Sequence, residues 1–549
     1  MSELNYINSK KNIILYLGLI LTLGLSLRFY YLPYDVPIAT DGFYSFVYAA
    51  KTVFEGNLPI GYGTTNTGWA NFLALFFSLS DTSDPFYLMQ IQRSLSVILS
   101  SLTIIPAFFI FRKFVNVRWA LFGCLLLIIE PRLLMSSLEG INYQLFFLLF
   151  VLVIALFLTK TKLTLFLSFG CIACATLVRY EGLLLLIPLS TMYFLKFKDK
   201  KSVVKFLGMI FIVIIILAPI SVLRIQATEN LCYETSFGVR CGSDGFTHDI
   251  LAGQRFLSHT LNAALGQEVS ETAIYLFNEN NEKTDNYAVL FVNKIIVSFS
   301  ALLKFIGLAL IPYFAFFVLY NIILRIKNKK SIKLDWDKKM IVFTASIMFL
   351  PALYAYMRGI EEIRYVLIII PLVCILSISW TNSISEKISK NLGVIIILMV
   401  LVLISSIIFI EFEKRDSIHD RESFLISQKI VELTNITNSF HQSGYVKTAV
   451  LSSSWPVLPE ASQNGKPIHV FQKVSTNDYD DLAEFIIDSR KYDLRYLVVD
   501  EDNELFAALR INPTVYPYLI KIFDSDEVGY KNHFMIYEID YKLVGDNDK

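Results

Sequence analysis

About eleven stretches of this chain are apolar over the roughly 20 residues that a helix needs to cross a bilayer core of ~30 Å. They are 12–28, 91–111, 119–135, 142–158, 163–178, 182–197, 206–223, 295–324, 340–357, 366–380 and 392–411. The polar segments between them alternate in kind. One set is rich in lysine: Lys10-Lys11, Arg112-Lys113 with Arg118, Lys160 with Lys162, Lys196 to Lys205, Arg325 to Lys339, and Lys387 with Lys390. The positive-inside rule places this set in the cytoplasm. The other set, loops 29–90 and 224–294, turns 136–141, 179–181 and 358–365, and all that follows Glu411, then lies outside.

From Asp416 onward the pattern is that of a soluble protein. Glu422 to Phe440 reads as an amphipathic helix, Val446 to Ser452 as a strand, Asp478 to Arg490 as a helix and Leu494 to Asp500 as a buried strand. Val515 to Phe523 and Phe534 to Ile539 close the series as a pair of strands. The chain thus divides into a polytopic α-helical membrane domain, 1–411, and a soluble extracytoplasmic α/β domain, 412–549.

Composition agrees with this division. Of 549 residues, 54% are hydrophobic and 18% charged, too apolar for a soluble chain, and nothing points to nucleic acid. No small-residue cleavage site precedes Arg28-Phe29-Tyr30-Tyr31, so the first apolar run is read as a retained helix. Cys124, Cys171, Cys174 and Cys374 fall inside apolar runs and read as core filler. Cys232 and Cys241 sit in the external loop 224–294, where disulfides persist, and are expected to be joined. Asn435-Ile436-Thr437 is a glycosylation sequon on the same side, with an unmodified helical asparagine as the alternative.

Candidate chemistry lies in the external loops. Asp41-Gly42, Tyr44, Ala49-Ala50 and Glu55-Gly56-Asn57-Leu58-Pro59 follow the first helix closely. An amphipathic helix from Phe43 to Phe54, stopped at Gly56, would lie on the membrane surface with Asp41 at its N-terminus, where the helix dipole favours the carboxylate. Simple capping of that helix is the alternative role for Asp41. The short external turns carry Arg132 with Glu139, Arg179 with Glu181, and Arg358 and Arg364 with Glu361 and Glu362. Arginines on that side need a local reason, either pairing with these acids or a shared anionic ligand.

The Asp41 series resembles the first external loop of the GT-C superfamily of integral-membrane glycosyltransferases, nearest to the group of protein O-mannosyltransferases and aminoarabinose transferases with their archaeal relatives. Gln90-x-x-Arg93 running on to Pro106 and Arg112, Ser136-Ser137-Leu138-Glu139-Gly140, Arg179-Tyr180-Glu181-Gly182, and Glu362-Ile363-Arg364-Tyr365 before Pro371 resemble later segments of the same enzymes, so the likeness covers about 12–380. It implies a polyprenyl-phosphate sugar as donor, transfer to an extracytoplasmic acceptor, Asp41 as catalytic base and Glu139 as a second external acid. Arg93, Arg132, Arg179, Glu181, Arg358, Arg364 and Tyr365 then bind substrate, with Arg364 first on the leaving phosphate. A divalent metal stays open. Where relatives have Asp-Glu, this chain has Asp41-Gly42.

The chain has no dinucleotide fingerprint, phosphate loop, His-Glu-x-x-His or Gly-x-Ser-x-Gly, which leaves a cytosolic nucleotide-sugar site without support. A lipid flippase or transporter is the first alternative, opposed by helix centres nearly free of charge and by the lack of internal repeats. A non-catalytic envelope-assembly protein is the second. An oligosaccharyltransferase is opposed by the missing Trp-Trp-Asp signature, since Trp455 stands alone.

Overall fold

The structure is a computed structural model and describes residues 10–38, 40–55, 67–80, 85–198, 200–228, 232–235, 238–241, 287–311, 335–357, 362–384, 392–413, 447–450, 472–473, 481–490, 494–499 and 516–544, with isolated positions at 314, between 418 and 429, and at 509 and 511. Two compact units are formed: one from residues 1–32, 59–71 and 93–413, the other from 33–58, 72–92 and 414–549.

Helices occupy the described part of every apolar stretch: α1 (Lys10–Tyr30), α2 (Thr40–Glu55), α3 (Gly68–Phe77), α4 (Pro85–Leu102), α5 (Ile104–Phe114), α6 (Val117–Ile128), α7 (Pro131–Leu138), α8 (Tyr143–Thr159), α9 (Lys162–Val178), α10 (Leu186–Lys196), α11 (Lys200–Thr228), α12 (Tyr287–Ala309), α13 (Trp336–Met348), α14 (Leu350–Met357), α15 (Arg364–Leu367), α16 (Ile370–Ile384) and α17 (Leu392–Glu413). Among the described residues five helical spans are long and apolar enough to cross a membrane, six if the bent pair α6–α7 is one span. Burial separates inner from outer helices. Every residue of α6 except Arg118 is buried. Large apolar side chains on α1, α11 and α17, such as Ile14, Phe211 and Ile408, are exposed as a lipid-facing surface requires.

Helix ends follow local chemistry. The Asn116 side chain accepts the Trp119 N–H, Thr161 that of Thr164, and Asp335 that of Lys338. Pro106 has no N–H to donate and crowds the carbonyl four residues back, so α4 and α5 are parted by a single turn residue, Thr103, within the one span Phe86–Phe114 that contains the helix expected over 91–111. Pro131 likewise divides the helix expected over 119–135, and α6 and α7 meet at 47°. Glu130 caps α7 by accepting the Leu133 N–H at 2.6 Å.

That break corrects the expectation of charge-free helix centres. Glu130 is fully buried and its Oε1 has no hydrogen-bond partner. Arg28, 1% exposed, donates to the Ile128 carbonyl at 2.7 Å, to Gly24 at 3.2 Å and to Ser100 Oγ at 3.3 Å. The Ile128 carbonyl is one that an unbroken helix would have satisfied four residues on, so Arg28 fills a gap that Pro131 creates. Glu130 and Arg28 also attract one another electrostatically.

Lys113, Lys160 and Lys196, from three of the lysine-rich connections, meet the start of α13. Asp337 pairs with Lys160 at 2.7 Å and Lys113 at 3.4 Å, and Lys160 lies 4.4 Å over the Trp336 ring, with Lys196 at 5.9 Å.

In the second unit α2 buries Phe46, Tyr48, Ala49 and Ala50, and Phe46 meets Phe77 edge to face at 5.9 Å. The apolar face read as membrane-bound is therefore packed against protein. Strands β3 (Lys447–Val450), β4 (Gln472–Lys473), β5 (Leu494–Val499), β6 (Leu519–Asp524) and β7 (Met535–Ile539) form a sheet in the order β4-β3-β5-β7-β6. β3 runs parallel to β4 and β5; β5, β7 and β6 are antiparallel in turn. Helix α18 (Leu482–Ser489), capped by Asp481, packs Leu482, Phe485 and Ile486 onto Leu497, Val499 and Tyr537. The expected α/β alternation is present. Glu422 is buried and accepts from the Lys531 and Asn532 backbone N–H groups at 2.8 and 2.9 Å, pinning the β6–β7 connection. Positions 421–429 are helical where described; the rest of 422–440, Asn435 included, lies outside the described residues.

After α11 a hairpin pairs β1 (Cys232–Thr235) with β2 (Gly238–Cys241), and Cys232 and Cys241 are direct partners in its register. Opposed residues in an antiparallel pair stand about 4.5–5.5 Å apart at Cα, inside the range a disulfide spans. The bond is expected in unreduced protein, closing a short loop worth ~2–3 kcal/mol. Peptide mass spectrometry without reductant should find the two as one cross-linked species; alkylation of both thiols would exclude it. Leu251 to Leu265, which reads from its clustered apolar residues as a surface helix of the external loop, lies outside the described residues.

Candidate active site

Asp41 lies in the first turn of α2, as the sequence suggests, but its side chain is outside the described residues. The backbone beside it is anchored. Gln92 donates its Nε2–H to the Gly42 carbonyl at 2.8 Å, and Gln90 donates to the Tyr34 carbonyl at 2.7 Å. The Gln90-x-x-Arg93 segment thus holds the first loop by its backbone.

In the helical unit Glu139 is exposed at the end of α7, on a turn fixed from several sides. Gly140 takes a left-handed φ of 69°, which suits glycine. Arg93, 3% exposed, donates Nε–H to the Leu138 carbonyl at 3.1 Å. Trp69, fully buried, donates its indole N–H to the Gly140 carbonyl at 3.1 Å. Gln144 donates to Ser136 Oγ at 3.1 Å. Arg93, expected to bind substrate, therefore serves here as a clamp on the Glu139 turn.

Four of the expected residues gather around Tyr143. Arg179 pairs with Glu181 at 2.5 Å, donates Nη1–H to Asn142 Oδ1 at 3.1 Å and lies 4.0 Å over the Tyr143 ring. Arg364 and Tyr365 both act electrostatically on Tyr143. Arg364 pairs with Glu362 and lies 5.5 Å over the Tyr365 ring. Both arginines carry a carboxylate, so the pairing alternative is realised at each. One donor is left over: the buried Nε–H of Arg179 has no hydrogen-bond partner. A guanidinium held on three sides with a spare N–H is prepared for an anionic oxygen.

Arg132 does not join this group. It donates to the Ile311 carbonyl at 2.6 Å and stacks 4.7 Å over Phe409. Arg358 and Glu361 lie outside the described residues. Among the described residues one cluster has metal-ligand character, Asp524, Asp526 and His533, in the sheet domain. Lys521 already pairs with Asp524 at 2.9 Å, and Asp524 also accepts the Asp526 N–H, so the group is occupied as a capped turn. Its neighbours hold the Asp524 carboxyl below the usual range despite burial, Lys521 foremost.

Tyr143, Asn142 and Trp69 were not singled out from sequence. Their signal is faint: an Asn-Tyr pair opening an apolar run, and a Gly-Trp pair following a glycine-rich stretch.

No family model and no curated protein sequence matches the chain. Solved structures do. The oligosaccharyltransferase of Archaeoglobus fulgidus in its apo form superposes with a TM-score of 0.55 at 11% identity, covering 90% of this chain and 70% of that one. The same archaeal enzyme, AglB, in complex with an inhibitory peptide and a dolichol-phosphate, gives 0.53 at 11% identity, with coverages of 97% and 75%. The chain shares the fold of this archaeal enzyme. ArnT from Cupriavidus metallidurans, bound to undecaprenyl phosphate, matches with a TM-score of 0.44 at 11% identity over 96% and 98%. The polytopic helical fold expected from the apolar pattern is thus shared with the archaeal oligosaccharyltransferase, whose Trp-Trp-Asp signature this chain lacks.

Proposed function

We propose that this chain is a membrane glycosyltransferase that moves a sugar from a polyprenyl-phosphate donor to an acceptor on the side opposite its lysine-rich connections. The observation that carries this reading is the spare Arg179 donor beside Tyr143, Arg364 and Tyr365, set in a fold whose structural neighbour AglB is solved with a dolichol-phosphate. The polyprenyl tail would lie in lipid, and the arginines would take up charge as the phosphate leaves. Asp41 would remove the proton of an acceptor hydroxyl attacking the anomeric carbon. A single displacement of this kind inverts that centre. Glu139 would orient the acceptor. A divalent metal is compatible with exposed acids but no step here depends on it.

Sidedness follows from the charge pattern. Lys113, Lys160, Lys196 and Asp337 converge at one end, so the turns bearing Glu139, Glu181 and Arg364 belong to the other by alternation. The α/β domain after Glu413 is read as extracytoplasmic on the same count. A Cys232–Cys241 disulfide would independently mark the far end of α11 as facing an oxidising compartment.

The test is incubation of the full chain in lipid with a panel of polyprenyl-phosphate sugars and candidate acceptors, read by mass spectrometry. Transfer from at least one such donor, with none from nucleotide sugars, is the expected result. Movement of labelled lipid between leaflets without any transfer would favour the transporter alternative, to which the buried Arg28 and Glu130 lend some support.

A further inference from the structure

Three segments far apart in sequence meet around Gly68 and Trp69. The backbone at Gly68 packs so closely on α9 that an added Cβ would fall 2.4 Å from the Leu177 carbonyl oxygen and 2.8 Å from the Val178 nitrogen. These are main-chain atoms, which cannot step aside, so glycine is required by contact. The next residue, Trp69, reaches the other way and holds the Gly140 carbonyl. The third side is closed by Arg179, directly after Val178, donating to Asn142, two residues past Gly140. Gly182 tightens this last corner, since a Cβ there would meet the Thr176 nitrogen at 2.6 Å.

We infer that Gly68 and Trp69 are positioning residues: a brace that fixes the spacing between the turn presenting Glu139 and the turn presenting Arg179 and Glu181. Neither touches substrate. The inference rests on the function proposed above, for it assigns the brace a consequence only if those two turns act on one reaction. Its physical content is separate. A buried indole N–H bonded to a carbonyl holds that carbonyl in one place, and loss of the donor leaves a buried acceptor unsatisfied. The turn would relax by a fraction of an ångström or more, and misplacements of about 1 Å cost on the order of a hundredfold in rate.

Full-length Trp69→Phe in lipid keeps an aromatic ring but removes the N–H together with part of the indole's volume, which at a fully buried site adds a general packing loss to the local one. The expected result is a kcat lower by roughly 10- to 100-fold, a KM for the donor changed by less, since Arg179 keeps Glu181 and Tyr143 even where its Asn142 contact loosens, and faster amide hydrogen exchange confined to 138–142. Gly68→Ala should do the same at both 138–142 and 177–182. Unchanged exchange and kcat in Trp69→Phe would overturn the brace while leaving the glycosyltransferase reading in place. Loss of protection spread evenly along the helices would reduce Trp69 to ordinary core and overturn it too. Wild-type protein that transfers nothing would defeat the functional reading instead, and the exchange measurement, which needs no substrate, would still decide whether the brace exists.

Discussion

Asp41→Asn is expected to leave the protein folded and to slow sugar transfer by ~10²–10⁴-fold, the usual cost of removing a general base. Asparagine keeps the size of aspartate and its ability to cap, and α2, in whose first turn Asp41 stands, is held by packing of Phe46 against Phe77. Asp41→Glu should recover little, because one added methylene displaces the carboxylate from an acceptor held in place. Glu139→Gln should be milder if Glu139 only orients the acceptor. Transfer rates of the three variants, at matched expression and thermal stability, make the comparison. Near-normal transfer by the asparagine variant would remove Asp41 as the base and direct attention to Glu139.

Arg28→Leu is expected to lower stability by about 1–3 kcal/mol, the cost of a buried acceptor left unsatisfied. It strips the Ile128 carbonyl of its donor and weakens the positive field on the buried Glu130, to which Arg132 also contributes. The double variant with Glu130→Gln should regain part of the loss, since the second change removes the acid on which that field acted. Reversible unfolding in detergent, measured for both singles and the double, tests this as a cycle. Strict additivity would show that the two side chains do not act together.

Much of the helical layout was legible because a run of ~20 apolar residues has few other uses. The kink at Glu130 was not, because one acid averaged over the stretch 119–135 barely lowers its hydropathy; Glu130-Pro131 together was the available signal. The α/β domain was readable from alternation and from Asp481 ahead of Leu482, whereas the strand order depends on contacts between residues distant in sequence. At the candidate site, the sequence singled out arginines in the lysine-poor turns, and the structure brings Arg179, Glu181, Arg364 and Tyr365 around Tyr143. Sequence could not separate these from Arg132, turned toward Ile311, or from Arg93, turned toward Leu138. The difference lies in which carbonyl each guanidinium reaches.

The pairing of Asp337 with Lys113 and Lys160 has a consequence in time as well as space. Both lysines are synthesised long before Asp337, so they are unpaired while the early helices are being oriented, when free positive charge has its effect. Only after α13 arrives is that charge neutralised. On the sidedness proposed above the same lysines would act first as a signal for insertion and later as a fastening, and a protein truncated before Asp337 is expected to insert correctly yet fail to close at that end.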